Sequence, residues 1–331
     1  MKALNKGLLS IAIASLVISG CGNTNGSHTS NGDKLKIVAT FYPMVEFTKQ
    51  VAGDHAEVVG LIPSGAEPHD WEPSPKDVAA IQKADVFVYN GIVESWVEKT
   101  LASAINDKRV DVEASKGIVL MEGVGEHEHE HDHEHDHDHE HAEGDVDHDE
   151  DGHEAEHSLD PHVWLDPSLA QQEVRNIQAA LEQADPDHKD EYKANADAYV
   201  AKLKALDEKF REDLKDSKRK EFVTQHAAFG YLARTYGLIQ IPIAGLSPEQ
   251  EPSPEKMAEV IKLAKEHDVR TIFFETLVDP KIAKTIAEEI GASTDVLNPL
   301  EGLTEEEVSK GLDYIGIMTN NLAGLIKALN K

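Results

Sequence analysis

Cysteine is nearly missing from this chain of 331 residues: Cys21 stands alone. One thiol cannot close an intramolecular disulfide, so the fold must rest on its core. Positive charge is also scarce, with 32 Lys and Arg against 62 Asp and Glu and a net charge of −30. No basic stripe is available to neutralise phosphates, which excludes nucleic acid as a partner. The acidity is concentrated, because residues 122–160 hold eighteen Asp and Glu and no Lys or Arg. That segment carries −18 of the total, and the remainder of the chain is only moderately acidic at −12. Long apolar runs are lacking too. The stretch "LLSIAIASLVISG" is short for a membrane span, which needs about 20 residues. An apolar content of 40% over this length is enough to bury a core in two medium domains.

The short apolar stretch has a context. Lys2 and Lys6 precede it, Cys21 ends it, and the polar "GNTNGSHTSNGD" follows. This is the layout of an export signal. The sequence "ISGC" resembles the bacterial lipoprotein signal, in which the cysteine is lipidated and becomes the mature N-terminus. Residues 1–20 are therefore expected to be a signal peptide, and 21–33 a flexible tether. Several acyl chains on Cys21, each buried CH₂ contributing about 0.8 kcal/mol, would hold the protein stably on the outer face of the membrane.

The most conspicuous segment, "HEHEHDHEHDHDHEH", places His127, His129, His131, His133, His135, His137, His139 and His141 at every second position with a carboxylate between each pair. The metalloprotease pattern HExxH fits it from His127 and again from His133, and fits a third time from His153. A pattern that matches in several registers by composition alone carries little information. A zinc hydrolase would also need a helix holding two histidines on one face of a dry cleft. Segment 122–160 has almost no apolar residues to bury, so a disordered loop is expected and catalysis is not. The run reads as an accessory, low-affinity collector of metal.

Outside that segment, short apolar runs alternate with helical patterns, as in parallel α/β sheets. Four strands are predicted in "KLKIVATF", "AEVVGLIP", "DVFVYNG" and "RVDVEAS". Four more follow in "EFVTQH", "LIQIPIAG", "TIFFE" and "STDVLNP", ending in a C-terminal helix from about Thr304. Ser74 and Pro75 mark a helix start. Between the two series, Tyr192, Ala196, Tyr199, Leu203, Leu206, Phe210 and Leu214 recur three or four apart. That spacing predicts one amphipathic helix of about 45 Å, opened by Asp185 as N-cap. The expected organisation is α/β, with two four-stranded parallel lobes over 34–185 and 217–331 joined by a stiff linking helix over 186–216. A strut of this kind predicts small lobe movements.

In open parallel sheets, ligands bind beyond the carboxyl ends of the strands. Four residues stand there: His69, His162, His226 and Glu301. Two come from each lobe, so a site between the lobes could gather three imidazoles and one carboxylate, which suits tetrahedral Zn²⁺ better than Mn²⁺. Glu275 ends the strand "TIFFE" and is equally well placed by the same rule. Asp70, Asp160 and Asp166 are candidates for orienting the imidazoles, and Trp71 and Trp164 for excluding water.

The motifs "PSGAEPHDWEPSP", "DPHVWLDP", "TQHAAFGYLA" and "NPLEGLT", in this order and with a histidine-rich insertion before the second, resemble the zinc-binding lipoproteins of bacterial ABC transporters. These are the ZnuA/AdcA-like members of the cluster A-I solute-binding proteins, and the resemblance runs from Lys34 to the end. It implies two Rossmann-like lobes and metal-ligand roles for His69, His162, His226 and Glu301, with Glu275 kept as the alternative carboxylate. It also implies Zn²⁺ as the transported ligand, and a permease with its ATPase as partners of a monomeric carrier. A manganese carrier and a metal-binding surface adhesin are the alternative functions. Replacing Cys21 by Ser is expected to leave the fold intact and to move the protein from the membrane to the medium. Unchanged membrane association in fractionated cells would exclude the lipid anchor.

Overall fold

A computed structural model describes residues 34–123 and 159–331. The export signal, Cys21, the tether and the histidine run lie outside the described residues. Residues from Lys34 onward belong to one compact unit.

The first half alternates β1 (Leu35–Ala39), α1 (Tyr42–Ala52), β2 (Ala56–Gly60), α2 (Pro75–Lys83), β3 (Val86–Tyr89), α3 (Val97–Ser103) and β4 (Val110–Glu113). Its strands are all parallel in the order β2-β1-β3-β4. The central strands β1 and β3 are mostly apolar and buried, with Lys36 exposed near the start of β1. α2 starts where its sequence directs: the Asp77 carboxylate accepts from the Ser74 N–H at 2.9 Å and from its hydroxyl at 2.6 Å, with Pro75 in the first turn.

Two helices connect the halves, α4 (Pro167–Ala184) and α5 (Lys189–Leu214). The second half then repeats the pattern with β5 (Glu221–Thr224), α6 (Gly230–Tyr236), β6 (Ile239–Pro242), α7 (Pro254–Glu266), β7 (Thr271–Phe274), α8 (Lys281–Ile290) and β8 (Ser293–Val296). Its order is β6-β5-β7-β8, again all parallel, so the two sheets share one topology. The chain closes with α9 (Glu305–Ser309) and α10 (Tyr314–Leu329).

α5 buries Tyr192, Ala196, Tyr199, Leu203, Leu206, Phe210 and Leu214, the stripe read from the sequence. Its 26 residues span about 39 Å at 1.5 Å per residue. It packs on α1 and α4 from the first half and on α6 and α10 from the second. One hydrophobic cluster therefore runs from Ile37 and Phe87 through Leu203 and Phe210 to Phe273 and Leu325. A smaller, separate cluster of Val223, Ile241, Val260, Ile272 and Ile286 lies where α7 and α8 pack on the second sheet.

Two helix boundaries differ from expectation. Asp185 does not cap α5. Its carboxylate is taken by the His188 Nδ1 and the Tyr192 hydroxyl, each at 2.7 Å, and Pro186–His188 closes a tight 3-10 turn before the α-helix begins at Lys189. Thr304 does cap a helix, but only the five residues of α9, through a reciprocal pairing with Glu307. Gly311 then takes a positive φ of 66°, which ends that segment, and α10 starts afresh from Asp313, whose carboxylate accepts from the Gly316 N–H at 2.8 Å. α4 carried its own start signal in Asp166 and Pro167, overlooked because the histidine motif sits against it.

Leu203 is fully buried at the middle of the strut. Leu203→Ala is expected to destabilise the unit by about 3 kcal/mol. Urea denaturation provides the measurement, and an unmoved midpoint would contradict a packing role for this stripe.

Candidate metal centre

The four strand-end residues meet. His69 lies in the loop after β2, His162 at the start of a 3-10 turn (Val163–Leu165) ahead of α4, His226 just after β5, and Glu301 in the loop after β8. Glu301 Oε1 is 2.9 Å from His69 Nε2, 3.2 Å from His162 Nε2 and 3.4 Å from His226 Nε2. His162 Nε2 and His226 Nε2 are 3.3 Å apart, and all four donor atoms lie within 4.8 Å of one another. A tetrahedral ion with bonds of about 2.0–2.1 Å has donor separations of about 3.3 Å, and these four separations of 2.9, 3.2, 3.3 and 3.4 Å lie close to such an ion's edges. His162, His226 and Glu301 are fully buried, whereas the His69 side chain keeps 11% of its surface exposed.

Two of the imidazoles are aimed by a carboxylate behind them. Asp160 Oδ1 accepts the backbone N–H of His162 at 2.9 Å and faces its Nδ1 at 2.8 Å. Glu275 Oε1 does the same for His226, at 3.2 Å to the N–H and 2.6 Å to Nδ1. Each pairing favours a proton on Nδ1 and leaves the Nε2 lone pair facing the centre. Gly230 leaves room for this arrangement, because a Cβ there would stand 2.8 Å from Asp160 Oδ2. Glu275 thus stands on the far side of the His226 ring from the other donors, and only Glu301 converges with the three Nε2 atoms. Trp164 is buried with its ring 5.2 Å from that of His162, and Trp71 packs edge-on against Trp96. Asp70 and Asp166 do not orient imidazoles. Asp70 is exposed, and Asp166 caps α4 through the Ser168 N–H at 2.8 Å. Glu67 was missed, although its place two residues before His69 was a usable signal. Its Oε1 accepts the His69 N–H at 3.2 Å while its Oε2 is buried without a hydrogen-bond partner among the described residues.

This donor set can be compared with known proteins. A family model described as zinc-uptake complex component A, periplasmic (ZnuA), matches residues 37–328. The chain belongs to this family. Among its relatives is the high-affinity zinc uptake system protein ZnuA of Bacillus subtilis (strain 168), 53% identical over 326 residues, which are 98% of this chain and 97% of that protein. The zinc-binding lipoprotein AdcA of Streptococcus pneumoniae (serotype 4) is 45% identical over 319 residues, 96% of this chain but 60% of AdcA. The chain thus spans about three fifths of that relative's length. The crystal structure of the Zn(II)-bound ZnuA-like domain of Streptococcus pneumoniae AdcA has a TM-score of 0.72 at 42% identity, covering 90% of this chain and 100% of that one. The resemblance read from the four motifs and the two-lobed α/β fold both hold.

The electrostatics of the four converging residues follow from the geometry. Burial works against charge on His162, but its hydrogen bonds to Asp160 and Glu301 outweigh burial and raise its pKa above 6.5. Burial likewise opposes charge on His226, yet the charges of Glu275 and Glu301 hold it well above 6.5. Burial would raise Glu301, but the neighbouring His226 charge and three histidine hydrogen bonds hold it well below 4.5. Glu67 is pushed up to about 9 by burial and by the charge of Glu301. His162, His226 and Glu301 thus favour one another's charged forms. The histidines' contribution to stability is complete below pH 6.5 and is lost as pH rises through their raised values. That of Glu301 is complete above pH 4.5 and is lost as pH falls through its lowered value. Both act together between these limits.

A metal must displace the imidazolium protons, so affinity is expected to fall with acid from above pH 6.5, earlier than the loss below about pH 6 that ordinary imidazoles would give. Glu275→Gln keeps an acceptor on Nδ1 but removes the charge that raises His226. Its expected effect is to shift the onset of acid loss to lower pH. Competition with a chelator of known affinity across pH measures this, and an onset equal to wild type would refute the assignment to Glu275.

Proposed function

We propose that this protein is an extracytoplasmic carrier that captures Zn²⁺ between its two lobes and delivers it to an ABC permease driven by its ATPase. The observation that carries the reading is the meeting of three Nε2 atoms and one carboxylate oxygen at near-tetrahedral separations. The names of the relatives, a zinc uptake protein and a zinc-binding lipoprotein, support the choice of metal. Three nitrogen donors in a compact set disfavour Mn²⁺, which prefers more oxygen ligands. Catalysis is not proposed, because four protein donors fill a tetrahedron and leave no position for the water that a hydrolytic zinc ion must hold.

The residues divide the work of capture. His69, partly exposed, meets the incoming ion first. Glu301 supplies the negative charge, and His162 and His226, aimed from behind, complete the set in a dry interior. Release needs His69 to withdraw, and the shared core around α5 limits lobe motion to small displacements. Among the described residues no helix is long and apolar enough to cross a membrane. Membrane attachment is assigned to a lipid on Cys21, with residues 1–20 removed as the signal and 21–33 as tether. The carrier acts as a monomer with lobes over 34–185 and 217–331. The histidine run from His127 to His141 serves as a weak collector of metal.

Separating the run from the centre tests the assignment. Deleting residues 126–157 is expected to leave one tight zinc ion per molecule by calorimetry and to remove additional weak binding. His162→Ala is expected to abolish the tight phase while the weak phase persists. The reverse pattern would place the site in the histidine run and overturn the proposal.

A further inference from the structure

The loop that carries Glu301 is held in an unusual way. Asn321, buried in the middle of α10, bonds both the N–H and the carbonyl of one residue through its side-chain amide, whose Nδ2 also donates to Met318 Sδ at 3.7 Å. Its Oδ1 accepts the Asn298 N–H at 2.9 Å and its Nδ2 donates to the Asn298 carbonyl at 2.7 Å. The Asn298 side chain in turn accepts the Leu300 N–H at 2.7 Å and donates to Glu307 Oε1 at 2.7 Å. Leu300 has a φ of 59°, a left-handed conformation that costs a non-glycine residue about 1–2 kcal/mol and persists only where surrounding bonds fix it. Glu301 follows directly.

The same helix also grips the His162 loop. The Tyr314 hydroxyl donates to the Trp164 carbonyl at 2.6 Å, and Trp164 Nε1 donates to the Pro299 carbonyl at 2.8 Å. Tyr314 and Asn321 are seven residues apart, two turns on one face of α10, about 10 Å along its axis. The bonds therefore close a ring: from α10 through Tyr314 to Trp164, across to Pro299, back through Asn298 and Asn321 to α10. Two ligand loops from different parts of the chain are tied to one rigid element and to each other.

We propose that the Asn321–Asn298–Trp164–Tyr314 ring is a specificity-determining device, which fixes Glu301 against His162 so tightly that the centre accepts a four-coordinate ion and rejects one requiring more ligands. This rests on the reading of His69, His162, His226 and Glu301 as the zinc ligands. Among the described residues Glu301 is the one oxygen donor of the set and is in reach of all three imidazoles, so its freedom governs the coordination number. A loop free to shift lets the carboxylate turn and admits water, the surroundings that Mn²⁺ prefers. None of the ring residues touches the metal; they are positioning residues.

The test uses the full chain with Asn321→Leu, which removes both amide bonds at similar size, and Tyr314→Phe, which removes one hydroxyl and keeps the ring. Zn²⁺ and Mn²⁺ affinities are measured by competition, and the visible spectrum of Co²⁺-loaded protein reports geometry, intense when four-coordinate and weak when six-coordinate. Asn321→Leu is expected to lower the zinc-to-manganese affinity ratio by about tenfold or more and to weaken the Co²⁺ bands. Tyr314→Phe is expected to move both in the same direction by a smaller factor, and it decides the matter if Asn321→Leu does not fold. Leu203→Ala, remote from the centre, is the control: it lowers the melting temperature with the ratio unchanged. An unchanged ratio and spectrum in the ring variants, with wild type binding zinc tightly, overturns the proposal while leaving the zinc reading in place. Equal loss of both metals in proportion to lost stability also overturns it. Absence of tight zinc binding in wild type defeats the zinc reading itself, and this inference with it.

Discussion

One carboxylate oxygen, Glu301 Oε1, lies within 3.4 Å of three imidazole nitrogens that reach it from separate loops of both halves of the molecule. A convergence of this kind tolerates little error, because donor separations of about 3.3 Å leave no slack for loops that drift. Much of the architecture answers to that requirement. The strands of both sheets end on the same side, the strut α5 shares one core with both halves, and carboxylates behind His162 and His226 stop their rings from turning. The carboxylate of Glu301 and the protonated forms of His162 and His226 offset one another's charge. The fold can therefore carry the donors close together before an ion arrives.

That neutralisation has a cost in selectivity for protons. The same negative charges that attract a cation raise the affinity of His162 and His226 for hydrogen ions, so the centre weighs zinc against acidity directly. Glu275 sits at the pivot of this balance, close enough to polarise His226 and turned away from the point where the donors meet. A carboxylate at that position strengthens the imidazole as a ligand and makes it harder to deprotonate.

The sequence made the frame legible because burial on both faces leaves mostly apolar runs, as in "VFVY" of β3 and "IFF" of β7, though Lys36 interrupts β1 and Glu221 opens β5. The strand-end rule picked out His69, His162, His226 and Glu301, which the fold brings together, although His162 stands at a 3-10 turn ahead of α4 and does not directly follow a strand. It could not separate Glu301 from Glu275, since both follow strands and only the side of the His226 ring that each approaches distinguishes them. Helix ends failed where local chemistry was ambiguous: Asp185 offers a capping carboxylate but binds side chains, and Thr304 opens a helix that Gly311 stops within two turns. Asn321 left no trace at all. A polar residue inside an amphipathic helix looks like surface until the loop it holds is in view.

The division of the apolar interior has a further consequence. The cluster of Val223, Ile241, Val260, Ile272 and Ile286 under α7 and α8 is separate from the core that runs through α5. A buried cluster that shares no member with the main core is the arrangement from which separately stabilised parts of a fold are built, and α7 and α8 lie over it. Of the residues around the centre, Glu275 belongs to this smaller part, at the end of β7, whereas Asp160 and Trp164 belong to the larger one. The two aimed imidazoles thus lean on different parts of the interior, His226 on Glu275 beside the smaller cluster and His162 on Asp160 beside Trp164 of the main core.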